Sequence, residues 1–125
     1  VKTIFCCGCQ REIEARLTYG AEIYPHRRDL WLLPFWKCDG CQNYVGCHHN
    51  SRQPHSPLGN IPTAIMRALR IEIHSVLDGL WKHKGFRRGD VYRRLSQHIG
   101  RPYHTGEIRT VEEALAIKGF LADFR

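Results

Sequence analysis

Two Cys-x-x-Cys pairs, Cys6/Cys9 and Cys38/Cys41, are the residues of this chain best suited to chemistry. Each spacing makes a tight loop that aims two sulfurs at one point. Four thiolates gathered in this way form the closed tetrahedral site that Zn²⁺ favours. Gly8 and Gly40 sit inside the two loops, where a tight turn needs conformational freedom. Cys7 competes with Cys6, because Cys7-x-Cys9 can also chelate. Buried free thiols and an iron–sulfur cluster are the alternatives to zinc. Four sulfurs leave no place for water or substrate, so a zinc held here is structural. Cys47 reads as a small buried thiol.

A second chemistry rests on histidine. His74 and Asp78 are four residues apart on a predicted helix, hence on one face. With His48, His49 or His55 they would form a His/His/Asp site with an open position, able to hold a second metal and to activate water for phosphodiester cleavage. The simpler account is a polar face with a His–Asp hydrogen bond. The run His48-His49-Asn50 does not make a nuclease motif by itself, since adjacent residues cannot converge on one phosphate.

The third group is basic. Lys82, Lys84, Arg87, Arg88, Arg93, Arg94 and Arg101 interleave with Trp81, Phe86, Tyr92 and Tyr103. Cations neutralise phosphates and aromatic rings stack on unpaired bases. The alternative is that the rings are core and the cations merely face solvent.

The elements that must position these groups fall into two stretches. Residues 1–50 alternate knuckle and strand. Strands are predicted at Glu14–Tyr19, Ala21–Tyr24, Leu30–Lys37 and Asn43–Cys47, with a polar turn at 26–29. Knuckle, strands, knuckle, strand is the order of a zinc ribbon. Residues 51–61 form a loop rich in proline and polar residues, which begins in sequence character at His48.

Residues 62–125 are helical. A long helix is predicted from Pro62 to near Gly85, with Ile65, Leu69, Ile73, Val76, Leu77, Leu80 and Trp81 apolar at helical spacing. A second runs from Asp90 to Ile99 and stops at Gly100. Together they loosely resemble a helix-turn-helix whose second helix presents Arg93, Arg94 and Gln97. A third follows the capping box at Thr110, with Val111, Leu115, Phe120, Leu121 and Phe124 on its apolar side. The expected fold is α+β: a four-cysteine zinc ribbon with a short antiparallel sheet, packed on a three-helix part, in one domain over 1–125.

The 125 residues suffice for one modest core. Net charge is +7 and the pI is near 9.4. A filled four-thiolate site would lower the net charge to about +5. That excess suits nucleic acid or an acidic protein surface. No apolar run approaches a membrane span. No signal-peptide pattern opens the sequence, so a reducing cytoplasm is the expected compartment.

Further residues carry a family resemblance. They are Cys6-x-x-Cys9, Tyr24-Pro25, Trp36-Lys37-Cys38-Asp39-Gly40-Cys41, Tyr44-Val45-Gly46-Cys47-His48 and Pro57-Leu58-Gly59. Arg70, His74, Asp78, Leu80-Trp81-Lys82, Arg88-x-x-x-Tyr92-x-x-Leu95 and His104-x-Gly106 follow. The chain resembles a small zinc-finger-containing domain of unknown function found mainly in phages and prophages. The resemblance covers roughly residues 4–108. It implies a zinc ribbon joined to a helical part and a phage or bacterial origin, and it assigns no reaction. It draws attention to His48, His74 and Asp78, which lie on matching motifs. Arg94 departs from it, where such domains tend to carry an aromatic. The tail after Ile108 lies outside it.

The expectation is a phage-type zinc-ribbon protein that binds nucleic acid or a nucleic-acid-processing host complex, without catalysis. The rivals are a stoichiometric inhibitor of a host or defence enzyme and a metal-dependent nuclease using His48, His74 and Asp78.

Overall fold

A computed structural model describes all residues, Val1–Arg125, as two compact units, Val1–Ala64 and Ile65–Arg125. The fold is α+β. Strands β1 (Lys2–Cys6), β2 (Arg11–Tyr19), β3 (Pro34–Lys37) and β4 (Tyr44–Gly46) form an antiparallel sheet in the order β1-β2-β3-β4. The long β2 serves two partners. Its first half pairs with β1, from Lys2↔Ala15 to Cys6↔Arg11. Its second half pairs with β3, from Arg16↔Lys37 to Tyr19↔Pro34. Lys37 also faces Tyr44 of β4, so the chain between them is a hairpin turn. Both cysteine loops are therefore hairpin turns of this sheet.

Alternation along β2 turns Ile13, Ala15 and the partly buried Leu17 to one side and leaves Glu12 and Glu14 exposed on the other, where Thr18 is buried separately. The buried side joins Ile4, Cys6, Trp36, Cys38, Val45, Cys47 and Ile61 in the core.

The segment between β2 and β3 differs from the sequence expectation. Gly20–Ile23 is a single helical turn, α1, and not a strand. Gly20 is the cause. A Cβ there would stand 1.7 Å from the Leu30 carbonyl oxygen, so only glycine lets the two backbones pass. Its N–H donates to the Leu33 carbonyl and that of Ala21 to the Trp31 carbonyl. The same contacts shorten β3 to Pro34–Lys37. Arg28–Leu30 is a 3-10 turn, and Trp31 and Leu32 remain exposed.

Residues 48–61 hold no helix or strand, as expected, yet they are well tied. Cys47 bridges Pro57 and Cys6 bridges Ile61. His48 N–H donates to the Ser56 carbonyl, and the Trp36 indole N–H donates to the His55 carbonyl at 2.6 Å.

The second unit contains α2 (Ala64–Lys82), α3 (Arg88–Ile99) and α4 (Val111–Ala122). Met66, Ile73, Leu77 and Leu80 of α2, Val91 and Leu95 of α3, and Ala114, Ile117 and Leu121 of α4 are buried. The predicted inward residues Ile65, Val111 and Leu115 are exposed. The rest of each predicted stripe holds: Ile73, Leu77, Leu80, Leu121 and Phe124 are buried, and the misses fall at the starts of α2 and α4, where apolar residues occur on more than one face. Gly100 ends α3 in the left-handed conformation, and Thr110 caps α4 by accepting from the Glu113 N–H. Tyr103 and Ile108, between α3 and α4, are also buried, with the Tyr103 and Thr105 hydroxyls 2.7 Å apart.

A candidate zinc centre and a basic aromatic surface

The two hairpin turns bring Cys6, Cys9, Cys38 and Cys41 together, with their Sγ atoms all within 4.8 Å of one another. Cys6 and Cys41 are 3.3 Å apart and Cys9 and Cys38 3.7 Å. Neither distance is that of a disulfide, near 2.05 Å. A zinc tetrahedron with Zn–S bonds of about 2.3 Å has sulfurs about 3.8 Å apart, so the donor set fits that ion. Cys7 is buried but lies outside the cluster, which assigns the first position to Cys6.

The turns are built alike. Cys6-Cys7-Gly8-Cys9-Gln10 and Cys38-Asp39-Gly40-Cys41-Gln42 differ at one position. Gln10 and Gln42 both have positive φ, 54° and 68°. Their N–H groups return to the Cys6 and Cys38 carbonyls, at 2.8 and 2.7 Å. Their side-chain amides donate to the Cys7 and Asp39 carbonyls, at 2.7 and 2.6 Å. Each glutamine thus closes its loop twice, which offsets the strain of a left-handed non-glycine residue. The five-residue repeat was visible in the sequence, but the role of its glutamines was missed.

Thiolate character is unevenly supported. Burial pushes the Cys6 thiol up to about 12, against backbone N–H groups of Cys9 and Gly8 that favour its anion. At Cys41 burial also opposes ionisation, but the Asn43 backbone N–H and the neighbouring thiols outweigh it and bring the group down to about 7. The Asn43 side-chain amide donates to Cys41 Sγ at 3.2 Å. Cys47 is separate and buried, and burial pushes its thiol up.

A charge network braces the second turn. Arg16 forks onto both Asp39 oxygens at 2.9 Å and onto the Glu22 carboxylate at 2.9 and 3.1 Å. Lys37 and the Thr18 hydroxyl also donate to Glu22. Arg16, Thr18 and Lys37 hold the Glu22 carboxyl well below its ordinary range.

The histidines are divided between the two units. His48 belongs to the first unit, and His74 and Asp78 to the second. His48 and His74 are exposed, and Asp78 faces Lys82 at 3.8 Å. His55 lines a cleft of about 420 Å³ with Lys2, Trp36, Gln53, Pro54 and Ser56.

Four of the basic residues, Lys82, Lys84, Arg87 and Arg88, lie around the α2–α3 connection, Arg93 and Arg94 lie within α3, and Arg101 follows it. Gly85 turns the chain with φ 75°. Phe86 packs edge-on against Phe124, with ring centroids 4.9 Å apart. On either side Lys84, Arg87 and Arg88 are exposed, and none pairs with a carboxylate of its unit. The other cations are engaged. Lys82 faces Asp78, Arg93 faces Asp90 at 3.6 Å, and Arg101 binds Glu113. Arg94 stacks on Phe124, 3.9 Å from its centroid, and donates to the Arg125 carbonyl. Trp81 and Tyr92 stack at 6.1 Å, and the Arg88 guanidinium lies 5.4 Å from each ring.

A family model of a zinc-finger-containing domain matches residues 2–118. The chain belongs to that family. The four-cysteine turns are the zinc-finger part of this zinc-finger domain, and they fit the metal that its name implies. The match runs through α3 and into α4, so the helical unit is part of the family's domain. No curated protein and no solved structure matches the chain. No helix of the domain is long and apolar enough to cross a membrane.

Proposed function

We propose that this zinc-finger domain binds nucleic acid through its helical unit, with one zinc holding the hairpin turns and taking no part in chemistry. The observation that carries this reading is the run Lys84, Arg87 and Arg88. Three exposed cations flank one turn without a carboxylate partner in their unit, although Asp78, Asp90 and Glu113 neutralise neighbouring ones. An unneutralised cluster of this kind favours a polyanion. In the first unit Arg16, Arg27 and Lys37 are paired with acidic residues, and the exposed cations without such a partner, Lys2, Arg11, Arg28 and Arg52, are spread along the chain rather than gathered at one turn. Zinc would contribute stability by linking two hairpins, and its four sulfurs would exclude substrate from the metal.

The test is nucleic-acid affinity against salt. Three phosphate contacts give a log–log slope of about −2 to −3. Lys84→Glu with Arg87→Glu abolishes that binding while zinc content and the thermal transition stay unchanged. Undiminished binding by this variant moves the site elsewhere. Tight, salt-insensitive binding to one protein, with weak binding to nucleic acid, identifies a stoichiometric inhibitor instead.

A further inference from the structure

Three aromatic rings form a ladder from the interior of the helical unit to its surface. Tyr103 is buried, at 3 % exposure. Its ring lies 5.6 Å from that of Tyr92, and Tyr92 stacks on Trp81 at an interplanar angle of 26°. Tyr92 and Trp81 are partly exposed. The ladder ends at Arg88, whose guanidinium is within cation–π distance of both outer rings.

A cation used only for phosphate contact needs reach and charge, which Lys84 supplies. Arg88 is restrained instead, since two rings on neighbouring helices hold its head group. A guanidinium backed by rings offers a flat surface on which an unpaired base can stack. A duplex buries its base faces and cannot use that surface.

Resting on the nucleic-acid reading above, we infer that the ligand is single-stranded, with one base stacked at the Arg88–Trp81–Tyr92 platform and Lys84 and Arg87 on the flanking phosphates. DNA and RNA share the required base and phosphate chemistry.

The experiment compares fluorescein-labelled oligo(dT), oligo(U) and a dT·dA duplex of equal length by anisotropy at one salt concentration. Wild type, Arg88→Lys and Arg88→Ala are used as full-length, zinc-loaded chains. Wild type is expected to bind a single strand at least about fivefold more tightly than duplex. Arg88→Lys keeps the charge and loses the planar group. It is expected to lose at least about fivefold in single-strand affinity, with the duplex affinity unchanged. Arg88→Ala is expected to weaken both. Tighter binding of oligo(U) than oligo(dT) assigns RNA, and the reverse assigns DNA. Equal or tighter duplex binding overturns the inference, as does an Arg88→Lys variant that binds single strands like wild type. In both cases the nucleic-acid reading stands. Binding to none of the three probes overturns that reading and this inference together.

Discussion

Gly8 and Gly40 occupy equivalent places in the two turns, yet an added methyl group meets different surroundings. At Gly40 the new Cβ would lie 3.7 Å from Cys38 Sγ and 4.0 Å from Cys9 Sγ, both ordinary contacts. At Gly8 it would lie 2.6 Å from Asn43 Nδ2 and 3.2 Å from Cys41 Sγ. The Asn43 amide must retreat by roughly 0.8 Å to reach ordinary contact, and it then loses its bond to Cys41 Sγ. A hydrogen bond to a charged group contributes about 1.5–3 kcal/mol. Alanine returns about 0.4–1 kcal/mol by restricting the unfolded chain. Gly8→Ala should therefore weaken the zinc-bound state by about 1–2 kcal/mol, a five- to thirtyfold loss of zinc affinity by about that arithmetic. Gly40→Ala should be neutral or more stable by up to about 1 kcal/mol. Competition against a chromophoric chelator measures both. Asn43→Ala should reproduce the Gly8→Ala loss, and the double variant should lose less than the two combined. Equal affinities of Gly8→Ala and Gly40→Ala would refute the proposed role of Asn43.

Three further outcomes are expected. Cys38→Ser should reduce metal content, measured by atomic emission, from about one zinc per chain to near zero and abolish the near-ultraviolet signal of Trp36. Gly20→Ala should cost about 3 kcal/mol or more in urea denaturation, because its Cβ meets the Leu30 backbone rather than a movable side chain. Glu22 titrates below its ordinary value of 4.5 in the folded chain, so its contribution is complete above that pH and is lost as the pH falls below it. The stability difference between wild type and Glu22→Gln should thus be largest near neutrality and shrink below about pH 4.5, whereas a constant difference would exclude the Arg16–Lys37–Glu22 network as its source.

The zinc centre was legible because ligand chemistry constrains residue type and local spacing, and each turn needs only five residues. Gly100 and Thr110 were legible for a similar reason, since helix ends are decided by one or two residues. Ala21–Tyr24 misled because its short polar–apolar pattern suits a strand. Its helical turn is set by Gly20 against Leu30, a contact ten positions away in sequence. The apolar sides of α2 and α4 were legible over most of their length, as buried Ile73, Leu77, Leu80 and Leu121 show, and misled only at the helix starts, where periodicity does not say which of two apolar faces meets the rest of the unit. Ile65 and Leu115 fit the spacing and face outward, while Met66, Ala114 and Ile117 are buried. β1 was overlooked because Lys2–Cys6 is short and acquires its identity from pairing with β2. The basic residues were legible as composition. Which of them lack carboxylate partners depended on α2, α3 and α4 being in place.

The repeated glutamine-closed turn also bears on the order in which the domain assembles. Each turn is fastened by contacts within five residues, whereas the sulfur pairs across the site are 29 and 35 positions apart in the chain. Two thiolates can therefore be presented by either turn before the sheet exists, and a zinc ion caught by one tethers the search for the other. Closing the loop then becomes a first-order step at an effective concentration set by the intervening chain, about millimolar for a flexible segment. Zinc supplied early would accelerate folding as well as stabilise its product, and the matched turns provide two independent places from which that folding can begin.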